Sequence, residues 1–304
     1  MRRAVAAGLL LVGGCAPDAA PGPVSELTAE EQAAYRSLAR VYETSSDLRR
    51  VEDELIRRCM AAKGSPWLSF SQEDYVWAPY KALTVETAAE YGYSMVASTP
   101  ESKAFDEKHQ AHEDSLTEAE LAKQAADLNG GPGDTKTVVL KNGGEHTYPA
   151  GGCRRHAEEQ LFGDPDAVFL LSDALNSFYV DWDVVRATPQ AKAVTKEWSR
   201  CMAERNRVYA EPSEANAEAA ESSSRIAYDD EGNAMGTERT GVSPTEIEIA
   251  VADATCRAET GYDESVIALL TAAYARAAVR MKGDILAVLE AYDQAMARSR
   301  ELLG

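Results

Sequence analysis

The sequence predicts an all-α protein with one small β-hairpin, built as two degenerate helical halves that are each stapled by a disulfide. Three observations carry that expectation. Apolar residues recur at helical spacing over long stretches, which gives each helix one face to bury. A single stretch alternates as strands do, around a glycine-rich turn. Two segments, centred on Cys59 and Cys201, also repeat one another.

The chain opens on Arg2 and Arg3, followed by an uncharged run from Ala4 to Gly14. That run is shorter than the ~20 apolar residues a membrane helix needs, so it reads as an export signal. Its end, Leu11-Val12-Gly13-Gly14-Cys15, resembles the bacterial lipobox, with Gly13 where another small residue is commoner. The resemblance implies cleavage before Cys15 and acylation of that cysteine. Residues 15–25 hold Pro17, Pro21 and Pro23 and read as a semi-rigid tether. The expected location is therefore the outer face of the cell membrane, lipid-anchored, with the membrane itself as a partner.

The first helical half spans 26–164. Thr28 with Glu31 forms a capping box, and Ala34, Leu38, Val41, Leu48, Val51, Leu55 and Cys59 follow on one helical face. Ser115-Leu116-Thr117-Glu118 starts another helix that Asn129-Gly130-Gly131 ends. Lys136–Leu140, Asn142-Gly143-Gly144 and His146–Tyr148 make the hairpin. In the second half, 165–304, Ser243, Pro244 and Glu246 mark a helix start and Gly261 a stop. One long helix is expected from Asp263 to Leu302. The acidic, Ser- and Ala-rich stretch near 211–241 reads as a mobile loop with a short helix at its start.

Composition narrows the function classes. The net charge of −19 becomes −21 once the two signal arginines are removed, so a phosphodiester backbone is repelled and no nucleic-acid partner is expected. Apart from Cys15, the even set Cys59, Cys153, Cys201 and Cys256 in an exported chain argues for two structural disulfides. None of these cysteines lie at zinc-knuckle spacing. Leu55-Ile56-Arg57-Arg58-Cys59-Met60-Ala61 parallels Glu197-Trp198-Ser199-Arg200-Cys201-Met202-Ala203, as a worn internal duplication would. Duplication proposes the pairs Cys59–Cys153 and Cys201–Cys256, although four cysteines allow three connectivities and sequence alone does not choose.

Helices ending in Arg-Cys-Met-Ala, the phrase Ser115-Leu116-Thr117-Glu118-Ala119-Glu120, and Gly151-Gly152-Cys153 running to Leu161-Phe162-Gly163 are similar to a family of secreted or lipid-anchored actinobacterial proteins. The resemblance implies an envelope location and disulfides. It transfers no catalytic residues.

Chemistry-bearing candidates are few. Trp67, Tyr75, Trp77 and Tyr80, with Phe70, Tyr91 and Tyr93 nearby, could stack on sugar rings of a wall glycan, or simply fill a core. His109 and His112 would share a helical face with an acid beside them, as a divalent cation wants. They lack the glutamate placement of a zinc-hydrolase helix, so the stretch reads as an exposed polar loop and no metal is assigned. His146 and His156 flank Cys153 and read as local packing, and Asp229-Asp230-Glu231-Gly232-Asn233 fails calcium-loop spacing. Asp164 with Asp166, and Asp181 with Asp183, read as helix starts rather than as a glycosidase pair. A nucleophile elbow, a Walker sequence and a dinucleotide fingerprint are all missing, so neither a catalytic residue nor a cofactor is assigned. The expectation is a non-enzymatic envelope module that binds a wall component or assists a membrane complex. The alternatives are a wall-active carboxylate hydrolase and a divalent-metal binder.

Overall fold

The computed structural model describes residues 27–68, 80–93, 100–140, 143–176, 180–228, 234–239 and 241–304. The protein is mostly helical, as expected, and both disulfides form as the duplication pairs them: Cys59–Cys153 and Cys201–Cys256. Each closes a loop long enough that chain entropy alone stabilises the fold by ~4 kcal/mol. Cys15 and the tether lie outside the described residues, as do Phe70, Tyr75, Trp77 and the acidic run from Asp229 to Asn233.

Helix α1 (Ala29–Ala62) starts at the capping box. Thr28 Oγ1 accepts the Glu31 N–H at 3.2 Å, and Glu31 accepts the Thr28 N–H at 2.8 Å. Its apolar face buries Ala34, Leu38, Val41, Leu48, Leu55 and Met60 without a break at Ser46, which is itself buried. After α2 (Val85–Tyr91) comes α3 (Pro100–Asp114), where an exposed loop was expected around His109. Ala, Glu, Lys and Gln favour a helix intrinsically even though α3 has little apolar face to signal it. Helix α4 (Glu118–Asn129) begins at Thr117 with another capping box, as α2 does at Thr84, and ends at Gly130. The hairpin pairs β1 (Thr135–Val139) with β2 (Glu145–Pro149), Val138 facing His146. Helices α5 (Gly152–Phe162) and α6 (Pro165–Asn176) follow.

The second half holds α7 (Trp182–Arg186), α8 (Pro189–Glu204), α9 (Pro212–Ser222), strands β3 (Ser224–Tyr228) and β4 (Ala234–Arg239), and α10 (Pro244–Thr260). The pair β3–β4 is a second antiparallel hairpin, in the stretch read as a mobile loop. The expected long helix is two helices, α11 (Tyr262–Arg280) and α12 (Lys282–Leu303), parted at Met281. Met281 leaves helical geometry (φ −101°, ψ 15°), and Gly283 just beyond it is a poor helix former. Both helices pack along α1. Among the described residues no helix is long and apolar enough to cross a membrane.

The two Cys-Met helices end alike. Five residues beyond each cysteine the chain turns left-handed, at Gly64 (φ 70°) and at Asn206 (φ 60°). The next residue, Ser65 or Arg207, then returns its N–H to the methionine carbonyl at 3.0 Å. Met60 and Met202 are both fully buried. Each half also reaches a hairpin and a second cysteine helix, the first half through α2, α3 and α4 to α5, the second through α9 alone to α10. They differ where the partner cysteine sits: Cys153 opens α5, whereas Cys256 lies near the end of α10.

Among the described residues four apolar clusters follow from this layout, the smallest joining Leu83 and Ala88 to Ala250 and Ala254. One surrounds Cys153 with Leu55, Ile56, Met60 and Leu161. Another surrounds Cys256 with Trp198, Met202, Ile249 and Leu270. The third packs Leu38, Val41 and Leu48 of α1 against Ile285, Val288 and Leu289 of α12, and so binds the two halves together.

Candidate functional site

A cleft of about 360 Å³ opens over the first disulfide core, between α1, α5, α6 and the first hairpin. Its wall is held by one carboxylate. Asp166, at the start of α6, accepts from Lys136 of β1, from the Tyr148 hydroxyl of β2 and from Arg155 of α5, the last at 2.9 Å. Burial pushes the Asp166 carboxyl up, but those three donors overcome it and hold it down at about 2. Asp166 therefore stays charged and fixes hairpin and helices to one another. The other acids singled out with it are helix starts: Asp164 accepts the Ala167 N–H, and Asp181 that of Asp183.

Aromatic rings line the hairpin side. His146 stacks on Phe169 with centroids 4.9 Å apart and an interplanar angle of 19°, and Tyr148 tilts against the same ring at 5.8 Å. Leu48, Phe162, Val168 and Tyr292 add apolar wall. The start of α5 beneath it depends on Gly152, whose φ is +76°. A side chain there would lie 2.4 Å from the Leu128 carbonyl, so only glycine lets α4 and α5 approach.

The charged groups of the cleft behave differently from Asp166. Glu52 of α1 is half-buried and has no hydrogen-bond donor or ion-pair partner in contact among the described residues. Burial, with the Glu158 carboxylate second, pushes its carboxyl up to about 7 against the pull of Arg154 and Arg49. Burial also raises Glu158, which Arg155 and Arg154 partly offset. Arg49 and Arg154 line the same cleft, are exposed, and form no hydrogen bond or ion pair within the described residues. The cleft thus offers unengaged charge of both signs beside an apolar wall.

The aromatic candidates divide. Trp67 packs against the first disulfide core and donates its indole N–H to Asp53 at 3.1 Å, which makes it structural. Tyr80 belongs to a buried polar network near the second disulfide. Its hydroxyl accepts from Arg257 and donates to Asp263 at 2.9 Å, and burial pushes that hydroxyl's pKa up. Asp253, fully buried at the centre, accepts from Trp198 and Arg257 at 2.7 Å each and from Tyr93 at 2.8 Å. Tyr80 also edges a second, wider cleft with Trp182 and Lys196. His109 and His112 lie on α3. His109 is 3.8 Å from Glu113, and the His112 ring nitrogen is 3.4 Å from the Gln124 amide. Among the described residues no group of three His, Cys, Asp or Glu side chains could hold an ion.

Sequence reasoning did not single out Glu52, Glu158, Arg49, Arg154 or Phe169 as site residues. The signal available was slight: Arg49 and Glu52 interrupt the apolar stripe between Leu48 and Leu55, and paired arginines follow Gly151-Gly152-Cys153. Asking which charges lack a partner needs coordinates. No protein-family model matches the chain, nor does any curated protein or any solved structure.

Proposed function

We propose that this chain is an extracytoplasmic binding module, anchored to the outer face of the cell membrane through acyl chains on Cys15, which takes a small cell-wall component in the cleft above the first disulfide. The observation that carries the binding reading is Glu52, a half-buried carboxylate with no hydrogen-bond or ion-pair partner among the described residues. Burying a polar group unpaired costs stability, and ligand sites are where folds accept that cost. A cleft of this size suits a small ligand and not a polymer chain. The anchor reading rests on the lipobox-like segment, since two or three acyl chains at ~0.8 kcal/mol per buried methylene hold a protein firmly.

Two measurements test the reading. Cys15→Ser should leave the protein unprocessed or release it from membranes; a variant that stays membrane-bound and correctly cut refutes the anchor. The mature chain should bind fragments of digested peptidoglycan, and failure to retain any of them refutes the wall ligand.

A second reading has one observation in its favour. A carboxyl near 7 beside another carboxylate is the pairing a general acid needs, so Glu52 and Glu158 also suit a wall-active hydrolase. Turnover of purified peptidoglycan that is lost in Glu52→Gln would favour it over simple binding.

A further inference from the structure

We propose that the cleft takes a small zwitterion with an apolar body, a short peptide with both termini free, whose ammonium meets Glu52 and whose carboxylate meets Arg49 and Arg154. This inference rests on the binding reading above and names the ligand class of the same cleft.

The argument is one of unmet complementarity. A buried or half-buried charge is normally paired, because removing it from water costs far more than an unpaired site returns. Elsewhere in this molecule that rule is kept closely: Asp253 has three donors, and so does Asp166. In the cleft Glu52 breaks it, and two exposed bases beside it, Arg49 and Arg154, also form no hydrogen bond or ion pair among the described residues. An anion alone would leave Glu52 unmatched and add to its repulsion from Glu158. A cation alone would leave both guanidinium groups idle. A neutral sugar could accept from the arginines but would give Glu52 no charged partner. A zwitterion engages all three, and charge-assisted hydrogen bonds to each terminus are the strong kind.

The remaining surface says what joins the two termini. Leu48, Val168 and Tyr292 offer an apolar floor, and the Phe169–His146 stack a flat wall, so a ligand side chain should be apolar or aromatic. The volume of about 360 Å³ suits one to two residues. Proton linkage follows. An ammonium beside Glu52 favours its ionised form, so binding should release a proton where Glu52 is otherwise protonated, and affinity should rise with pH through about 7. The groups facing Glu52 are Arg49 and Asp53 on α1, Arg154 and Glu158 on α5, and His146 on the hairpin.

The test is calorimetric titration of the mature chain with the dipeptide Ala-Phe, and with its N-acetylated and C-amidated forms. The free dipeptide should bind, and each cap should weaken binding about tenfold or more. Glu52→Gln should weaken the free and amidated forms about tenfold, yet leave the already weak N-acetylated form unchanged, as a coupling between Glu52 and the ammonium requires. Arg49→Ala with Arg154→Ala should give the converse pattern, sensitive to the carboxylate alone. Circular dichroism and unfolding midpoints check that both variants fold. Capped and free dipeptides binding equally would overturn the zwitterion, as would the absence of binding to any of the three at millimolar concentration. If peptidoglycan fragments still bound while the dipeptides did not, the zwitterion would fail and the wall-binding reading would stand.

Discussion

The two disulfide regions are built on one scaffold and do opposite things with charge. Both carry an Arg-Cys-Met-Ala helix end, a buried methionine, a left-handed stop and a bridge to a second helix. Around Cys201–Cys256 the buried core holds Trp198, Asp253, Arg257, Asp263 and Tyr80, each of these charges answered by a partner, and the second cleft opens at the edge of that network. Beside Cys59–Cys153 a cleft stands open, and Glu52, Arg49 and Arg154 in it have no hydrogen-bond or ion-pair partner among the described residues. Two similarly built regions can therefore differ in whether the acid beside the bridge is paired, as Asp253 is and Glu52 is not among the described residues. The distinguishing feature is pairing, not burial alone.

The sharpest way to break the comparison is to unpair the filled region. Asp253→Ala removes the acceptor of three donors and leaves the Arg257 guanidinium with Asp263 and the Tyr80 hydroxyl. Urea unfolding should show a loss of about 3–5 kcal/mol, as for other broken buried pairs. A loss under about 1 kcal/mol would mean the network is solvated and the contrast false.

The open region should respond with the other sign. Glu52 holds its proton up to about 7 when folded, against 4.5 as its ordinary value, so the folded state binds a proton that the unfolded chain releases between those values. Its contribution is fully present below about 4.5 and is lost as pH rises through 7. Glu52→Gln should therefore stabilise the protein at pH 8, by on the order of 1–3 kcal/mol given partial solvent screening, and leave it nearly unchanged at pH 4.5. Thermal midpoints of the two proteins across that range would settle it; parallel curves would sink the assignment. A variant that folds better and binds worse would identify Glu52 as a functional residue carried at the expense of stability.

The smallest effects lie at the two helix stops. Gly64 has open space where a side chain would go, so Gly64→Ala costs only backbone strain, about 1 kcal/mol. Asn206→Gly relieves the same geometry in the other copy and should gain up to about 1 kcal/mol. Equal and opposite shifts in unfolding midpoint would confirm that the two copies stop alike. An unchanged Gly64→Ala would show that they do not.

Much of the fold was legible because its signals are local. Thr28 with Glu31, Thr117 with Glu120, and Ser243 before Pro244 are helix starts whose hydrogen bonds span only a few residues, and the structure has each of them. The first hairpin was readable from its glycine turn. The second was not, because its chain is acidic and Ser-rich and gives little apolar alternation. The split at Met281 escaped for another reason. The apolar period continues across it, and only packing of both α11 and α12 on α1 sets them apart.

The sequence by itself determined the helical class, the capped helix ends and the likeness of the two Cys-Met segments, all matters of residue type at short spacing. Duplication also suggested which cysteines pair. Tertiary structure alone decided where partners meet: that Trp67 and Tyr80 are held inside structural networks, that Asp166 ties a hairpin to two helices, and that Glu52 stands unpaired beside Glu158. The physical reason is that a charge's role depends on its neighbours in space. Glu52 and Asp166 are ordinary acids in the sequence, and among the described residues the fold supplies three donors to Asp166 and none to Glu52.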